Sequence, residues 1–418
     1  MNTGMAGLSL DQAPPLSVPL GFFFVAPLAL VAAGVLLCAT GAPLLTSSWM
    51  PQVLGATHVG TLGLLGAVML GALYQMLPVV VGAQVPGVRL AHLVLVAFVA
   101  GAGALVWGLW TSAVGVSATG GAALGFALVL FLAPVTVALA RAPAAGPTRT
   151  GMRLAVAALA VVGTLGVTMA LAHTAGWALD RRHWLVAHAV VGLVGWVGGL
   201  LTAVSWQVVP MFYLTPAFPR RSSRVVLAAA GVTTPLALGA LAVGVDPAWA
   251  ALPGALAVWL LHPIVTLRLL AARKRRRSSA SVNAWKAGLT LGPVTLACGV
   301  VAAFAADPRW PLLFGWLAVW GWAGLVLHGM LTRIVPFLVW FHRFSEDAGR
   351  PGVPSMRQLM PNERARVGLI LHGAAVLLGA AAIVSGVSTL LQVAGVVLAA
   401  AGVALGYALV RAVVAREP

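Results

Sequence analysis

Apolar runs of about twenty residues, long enough to cross a bilayer as helices at 1.5 Å per residue, alternate with short polar connections along this chain. Twelve can be marked: 20–40, 53–81, 91–110, 120–140, 152–172, 183–209, 225–243, 250–270, 287–304, 312–339, 367–385 and 392–410. Several are rich in Gly and Ala, which suits close helix packing in lipid. Three runs end alike, in Tyr74-Gln75-Met76-Leu77-Pro78, Trp206-Gln207-Val208-Val209-Pro210 and Thr332-Arg333-Ile334-Val335-Pro336. The prolines recur after 132 and 126 residues. This pattern predicts an all-α polytopic membrane protein: one transmembrane domain over 1–418, built from three related four-helix units at about 20–140, 152–270 and 287–410.

Composition excludes a soluble domain. The chain is 61% hydrophobic and 8% charged, with a mean hydropathy of +1.01, whereas soluble domains carry about 25% charged residues. The formal charge of +17 invites a nucleic-acid reading, but most Lys and Arg sit in connections between runs, where the positive-inside rule places them. Connections after even-numbered runs carry Arg89; Arg141, Arg149 and Arg153; Arg220, Arg221 and Arg224; Arg273 to Arg277; and Arg343 to Arg366. Those after odd-numbered runs carry only Arg181, Arg182 and Arg309. Both termini are therefore expected in the cytoplasm, in a bacterial-type inner membrane. The basic run at 273–277 reads as a topology anchor on anionic lipid or a docking site. Before the first run the sole charge is Asp11, so that helix is expected to be retained. Cys38 and Cys298 lie in separate runs without CxxC spacing and read as small packing residues.

Histidine inside a bilayer is costly enough to suggest function, and imidazole is a common ligand for haem iron and copper. His58 and His188 lie at similar depth, near 10 Å from the outer face, while His328 lies deeper. The rival reading is a neutral imidazole hydrogen-bonded to a neighbouring helix. His173 and His183 read as interfacial, His262 as bonded locally beside Pro263, and His92, His342 and His372 as solvated near the cytoplasmic boundary. Trp316, Trp320 and Trp322 line a porphyrin or pack helices. Arg333 pairs with a haem propionate or, like Arg268, snorkels to the interface. Met69 and Met76 offer thioethers to copper(I) or fill the core. The 340–366 connection reads as a surface loop.

Twelve spans in three units, with histidines near the outer ends of the second and sixth, resemble subunit I of the haem-copper oxidase superfamily. The segment from Thr57 to Leu90 is similar to that family's second helix, where a histidine ligates low-spin haem and a G-A-x-Y-x-x-x-P segment closes the span. His183-Trp184-Leu185-Val186-Ala187-His188 resembles the sixth helix of cbb-type oxidases and nitric oxide reductases, where a Trp four residues ahead precedes the metal ligand. The resemblance implies His58, His188, Trp184 and Trp316 around a haem, with His58, His188 and His328 as metal ligands and copper as a second cofactor. The looser Met330-Leu331-Thr332-Arg333 resembles the M-T-R of the NnrS family, twelve-span haem and copper proteins associated with nitrosative stress.

Departures limit what the resemblance implies. The family's tenth-helix His-x-His falls on Phe314 and Trp316, and the seventh run holds no histidine. Every acid lies in a loop or tail, so proton-channel carboxylates are missing. The expected function is therefore a non-pumping haem protein, with an incomplete binuclear centre, in redox or nitric oxide chemistry, with a cytochrome c-like or other respiratory subunit as partner. A transporter of copper or haem and a ligand-free scaffold subunit are the alternatives.

Overall fold

The computed structural model describes residues 12–143, 146–274 and 279–414. It is 84% helical, with no strand among the described residues. Twelve helices are long and apolar enough to cross a membrane, here called spans one to twelve: Ser17–Thr40, Pro51–Val81, Val88–Trp110, Val114–Arg141, Pro147–Ala172, Arg181–Tyr213, Arg220–Ala242, Pro247–Ala271, Ala280–Phe304, Arg309–Phe344, Asn362–Ser385 and Ser388–Val413. The chain is a multi-pass membrane protein. Each helix overlaps one of the twelve apolar runs. The helices often extend beyond those runs because polar residues continue the helix into the interface, as Ser281, Asn283 and Lys286 do at the start of span nine.

The described residues fall into two compact units. The first comprises Ala72–Arg276 with Gly292–Phe304, and the second Pro15–Gly71, Arg277–Leu291 and Ala305–Pro418. In the first, spans three and four form a helical hairpin. A side chain at Gly101 would put its Cβ 2.8 Å from the backbone nitrogen of Leu124, so only glycine permits that approach. In the second, spans one and twelve meet backbone to backbone: a Cβ at Gly402 would stand 2.7 Å from the Pro27 carbonyl oxygen. Cys38 Sγ donates to the Gln392 carbonyl and Gln392 Nε2 donates to the Cys38 carbonyl, both at 3.2 Å. The thiol is thus a packing residue with a hydrogen bond.

Burial separates three spans from the rest. The buried share of the most apolar stretch is 89% in span two, 78% in span ten and 67% in span six, against 56% or less in the other nine. The same three each contain an eight-residue π-helical segment: Val59–Gly66, Val191–Gly198 and Leu317–Gly324. A shorter one, Ala257–Leu261, lies in span eight. The three long segments start 132 and 126 residues apart, the spacing of Pro78, Pro210 and Pro336.

The 340–366 connection is not a plain surface loop. Helix persists to Phe344, Trp340 Nε1 donates to the Pro354 carbonyl at 2.9 Å, and Ser355 and Gln358 form a capping box on Met356–Leu359. An indole with a hydrogen-bonding need draws the chain back onto the end of span ten. In the basic run, Arg273 caps span eight by donating to the Leu270 carbonyl at 2.8 Å. Arg275 to Arg277 lie outside the described residues.

Candidate functional site

His58 is the last residue before the first π-helical segment. Its Nδ1 stands 2.7 Å from the Leu54 carbonyl oxygen, one turn earlier. A carbonyl can only accept, so Nδ1 carries the proton and the ring's lone pair lies on Nε2. That bond also fixes the ring's orientation, as second-sphere carbonyls do for histidine ligands. Gly60, two residues on, lets span ten approach: a Cβ there would stand 2.5 Å from Val319 Cγ1 and 2.9 Å from the Trp320 ring.

His188 and Trp184 lie half-buried in span six, in the first unit, while His58 and His328 belong to the second. The His188 ring rests on span five, where a Cβ at Gly166 would be 2.9 Å from its Cε1. His58 precedes its proline by 20 residues and His188 by 22, so the two are not equivalent in register. His183, read as interfacial, pairs through Nδ1 with Asp180 at 2.8 Å, and Asp180 caps the span by accepting from the His183 amide. The side chain of His173 lies outside the described residues.

Trp316 occupies the register of His58 in span ten, 20 residues before Pro336. Its indole is buried, donates to the Val376 carbonyl at 2.9 Å, and lies against Gly379. The ring is thus engaged by span eleven on one side and tilted against Trp320 at 6.1 Å. Met69 and Met76 are buried in the core.

His328 has a partner that the sequence reading missed. His372 of span eleven, expected to be solvated, is fully buried, and its Nδ1 lies 3.0 Å from Nδ1 of His328, itself fully buried. The ring planes are inclined at 41°. His328 Nε2 is buried without a hydrogen-bond partner among the described residues, while the Trp320 backbone offers His372 a further hydrogen bond. The expectation failed on depth. Span eleven begins at Asn362, whose side chain accepts from the Ala280 amide at 2.7 Å. His372 therefore lies about 15 Å along the helix.

No family model matches the sequence, and no curated protein matches it significantly. The site must be read from its own chemistry. Among the described residues no three His, Cys, Asp or Glu side chains gather into a group able to hold a metal ion. A further buried histidine, His262, is held in the first unit. Its Nε2 lies 2.7 Å from Ser205 Oγ and 3.2 Å from Thr266 Oγ1, and its ring stacks on Phe218 at 6.1 Å. Because Ser205 donates to the Thr202 carbonyl at 2.6 Å, the serine accepts from His262. This is a structural bond, not an activated nucleophile. His58, His188, His262 and His328 each lie within four residues of a π-helical segment. That association is common at functional sites, and a search for Gly-x-x-Gly-x-x-Gly beside each histidine would have found it in spans two and six.

Proposed function

We propose that the chain is a haem-binding membrane protein related to the haem-copper oxidase and NnrS proteins, in which His58 would hold the haem iron, with a role in redox or nitric oxide chemistry. One observation carries the reading. His58 has its Nδ1–H committed to the Leu54 carbonyl at 2.7 Å, which presents Nε2 as the donor atom in the most buried span. The local residues would supply one imidazole to the haem, not the family's pair, because the corresponding position in span ten holds Trp316 with its N–H already bonded to the Val376 carbonyl. Haem bound there supplies one-electron chemistry and an iron seat for a diatomic gas; the chain's part is to orient the imidazole and exclude water. Copper at His188, an electron donor of the cytochrome c kind and cytoplasmic termini in a bacterial inner membrane belong to the same proposal.

The repeated π-helical segments and prolines support the three-unit ancestry within it. Purified protein from haem-replete cells is expected to show a Soret band that shifts or disappears in His58→Ala; a colourless wild-type preparation would overturn the reading.

A further inference from the structure

One end of the first unit is purely basic among the described residues and adjoins an apolar groove. We propose that spans five, six and seven hold one anionic phospholipid there, its phosphate on Arg220 and Arg224 and an acyl chain in the groove. The proposal is independent of haem at His58.

Charge is divided sharply between the unit's two ends. Its acids, among the described residues, are Asp180 and Asp246, at the starts of spans six and eight. Spans five and seven start at the opposite end, with Arg149 and Arg153 on one and Arg220, Arg221 and Arg224 on the other. The first two are engaged: Arg149 donates to the Ala142 carbonyl at 2.7 Å and Arg153 Nε to the Leu139 carbonyl at 3.1 Å, which caps span four. Arg220, Arg221 and Arg224 are exposed, and no ion pair among the described residues involves them. They occupy the first two turns of a 23-residue helix whose first turn has no acid and no side-chain cap. Positive side chains there add to the positive end of the helix dipole. A phosphate relieves both, with backbone N–H groups and guanidinium forks as its donors.

The groove is lined by Gly151, Leu154, Gly199, Trp206, Leu227 and Ala230. Gly151 lets span five meet span six, a Cβ there standing 2.6 Å from Ala203 Cβ, and Gly231 lets span seven meet span five, with Leu154 Cδ1 at 3.2 Å. All three helices therefore border one cleft, and Leu154 on its rim is exposed. Arg220, Arg224, Leu227 and Gly231 recur at steps of four, three and four, so they share one face of span seven. Arg221 is nine residues from Ala230 and points about 180° from it on a regular helix. Leu227 and Ala230 lie about 10 and 15 Å along the axis from Arg220, within the roughly 15 Å of one hydrocarbon leaflet. The occupant must be apolar along the groove, anionic at one end and resident in a bilayer. An anionic phospholipid meets all three requirements, and basic pockets between membrane helices bind such headgroups.

Native mass spectrometry of the full-length protein from detergent micelles, supplied with phosphatidylglycerol or zwitterionic phosphatidylcholine, counts the lipids retained. Wild type is expected to keep one phosphatidylglycerol and to prefer it by about 30-fold, from two arginine contacts. Arg220→Gln should lose about 5-fold of that preference and the Arg220→Gln/Arg224→Gln double variant all of it. Arg221→Gln, which removes the same charge as Arg220→Gln from the other side of the helix, should bind like wild type. Ala230→Phe fills the groove and should release the lipid with the arginines intact, whereas excess inorganic phosphate should not displace it from wild type. The exposed arginine variants decide the matter if Ala230→Phe does not elute as a single species. The proposal is overturned if wild type retains both lipids equally, if the double variant or a well-folded Ala230→Phe binds like wild type, if Arg221→Gln loses as much as Arg220→Gln, which would mean diffuse attraction to a basic surface, or if inorganic phosphate displaces the lipid.

Discussion

Gly379→Ala asks whether the indole of Trp316 is part of a helix interface or the wall of a cofactor pocket. A Cβ at position 379 would fall inside the van der Waals envelope of the Trp316 ring, and the atom in its way belongs to a rigid bicycle. The ring must therefore move. Overpacking of this kind costs about 1–3 kcal/mol. Displacing the ring also strains its 2.9 Å bond to the Val376 carbonyl, worth about 0.5–1.5 kcal/mol. The alanine variant is expected to lose about 2–4 kcal/mol in all. Trp316→Phe gives up the same hydrogen bond and a few ring atoms, about 1–2 kcal/mol, but its smaller ring makes room for the new methyl. The double variant should then cost little more than Trp316→Phe alone.

The resulting coupling, close to the cost of Gly379→Ala itself, about 2–4 kcal/mol, exceeds the 0.3–0.5 kcal/mol or so within which independent sites add. Equilibrium unfolding in mixed dodecyl maltoside–SDS micelles, followed by helical circular dichroism, measures all four corners of the cycle. Additive costs, or a neutral Gly379→Ala, would refute the packing. A Soret shift in Trp316→Phe without loss of stability would restore the indole to a porphyrin wall.

Three other outcomes follow from the same geometry. Ser205→Ala leaves His262 Nε2 with only Thr266 Oγ1 at 3.2 Å and should cost about 1–3 kcal/mol in the same unfolding assay; an unchanged midpoint would mean that the Ser205–His262 bond is not made. The Asp307 carboxyl is held below its ordinary value by hydrogen bonds from Arg309. Its depressed folded-state value adds stability above the unfolded carboxylate value, about pH 4, and that stability is lost as pH falls further. Asp307→Asn should therefore differ from wild type slightly at neutral pH and converge with it in acid, since an exposed pair contributes little; a gap that widens on acidification would reverse the sign. With Cys38 and Cys298 replaced, a membrane-impermeant maleimide applied to intact cells should label Thr46→Cys and not Glu346→Cys, and the opposite pattern would invert the expected orientation.

The twelve spans were legible because a bilayer imposes one coarse requirement, about twenty apolar residues, and the sequence meets it twelve times with its acids kept to connections and span ends. The buried pair was not legible, although both of its members were visible. The apolar run starts at Val367, which sets His372 near the cytoplasmic boundary. The helix instead starts at Asn362, because long Arg stems can lie along a helix while their heads reach water. Nothing in the spacing of residues 328 and 372 says that two helices will turn them toward each other. Such a contact is set by helix rotation, and the apolar pattern of a helix buried on most sides does not specify rotation.

Rotation is also where the comparison of His58 with His188 runs out. Depth follows from counting residues, and both lie near the start of a buried span. Facing requires a constant angular step, and spans two and six each contain eight residues of π-helix between histidine and proline. There each hydrogen bond skips an additional residue, so 100° per residue no longer relates the histidine to the Tyr-Gln or Trp-Gln end of its span. The glycines at 60, 63 and 66 and at 192, 195 and 198 accompany these wide turns. Some of them admit a neighbouring helix, as Gly198 admits Val258 at 2.7 Å from its missing Cβ. With the histidines 20 and 22 residues ahead of their prolines, the two-residue offset alone turns one ring about 200° from the other on a regular helix. Equal depth therefore gives no reason for the two imidazoles to serve one cofactor, and each must be tested as a ligand separately.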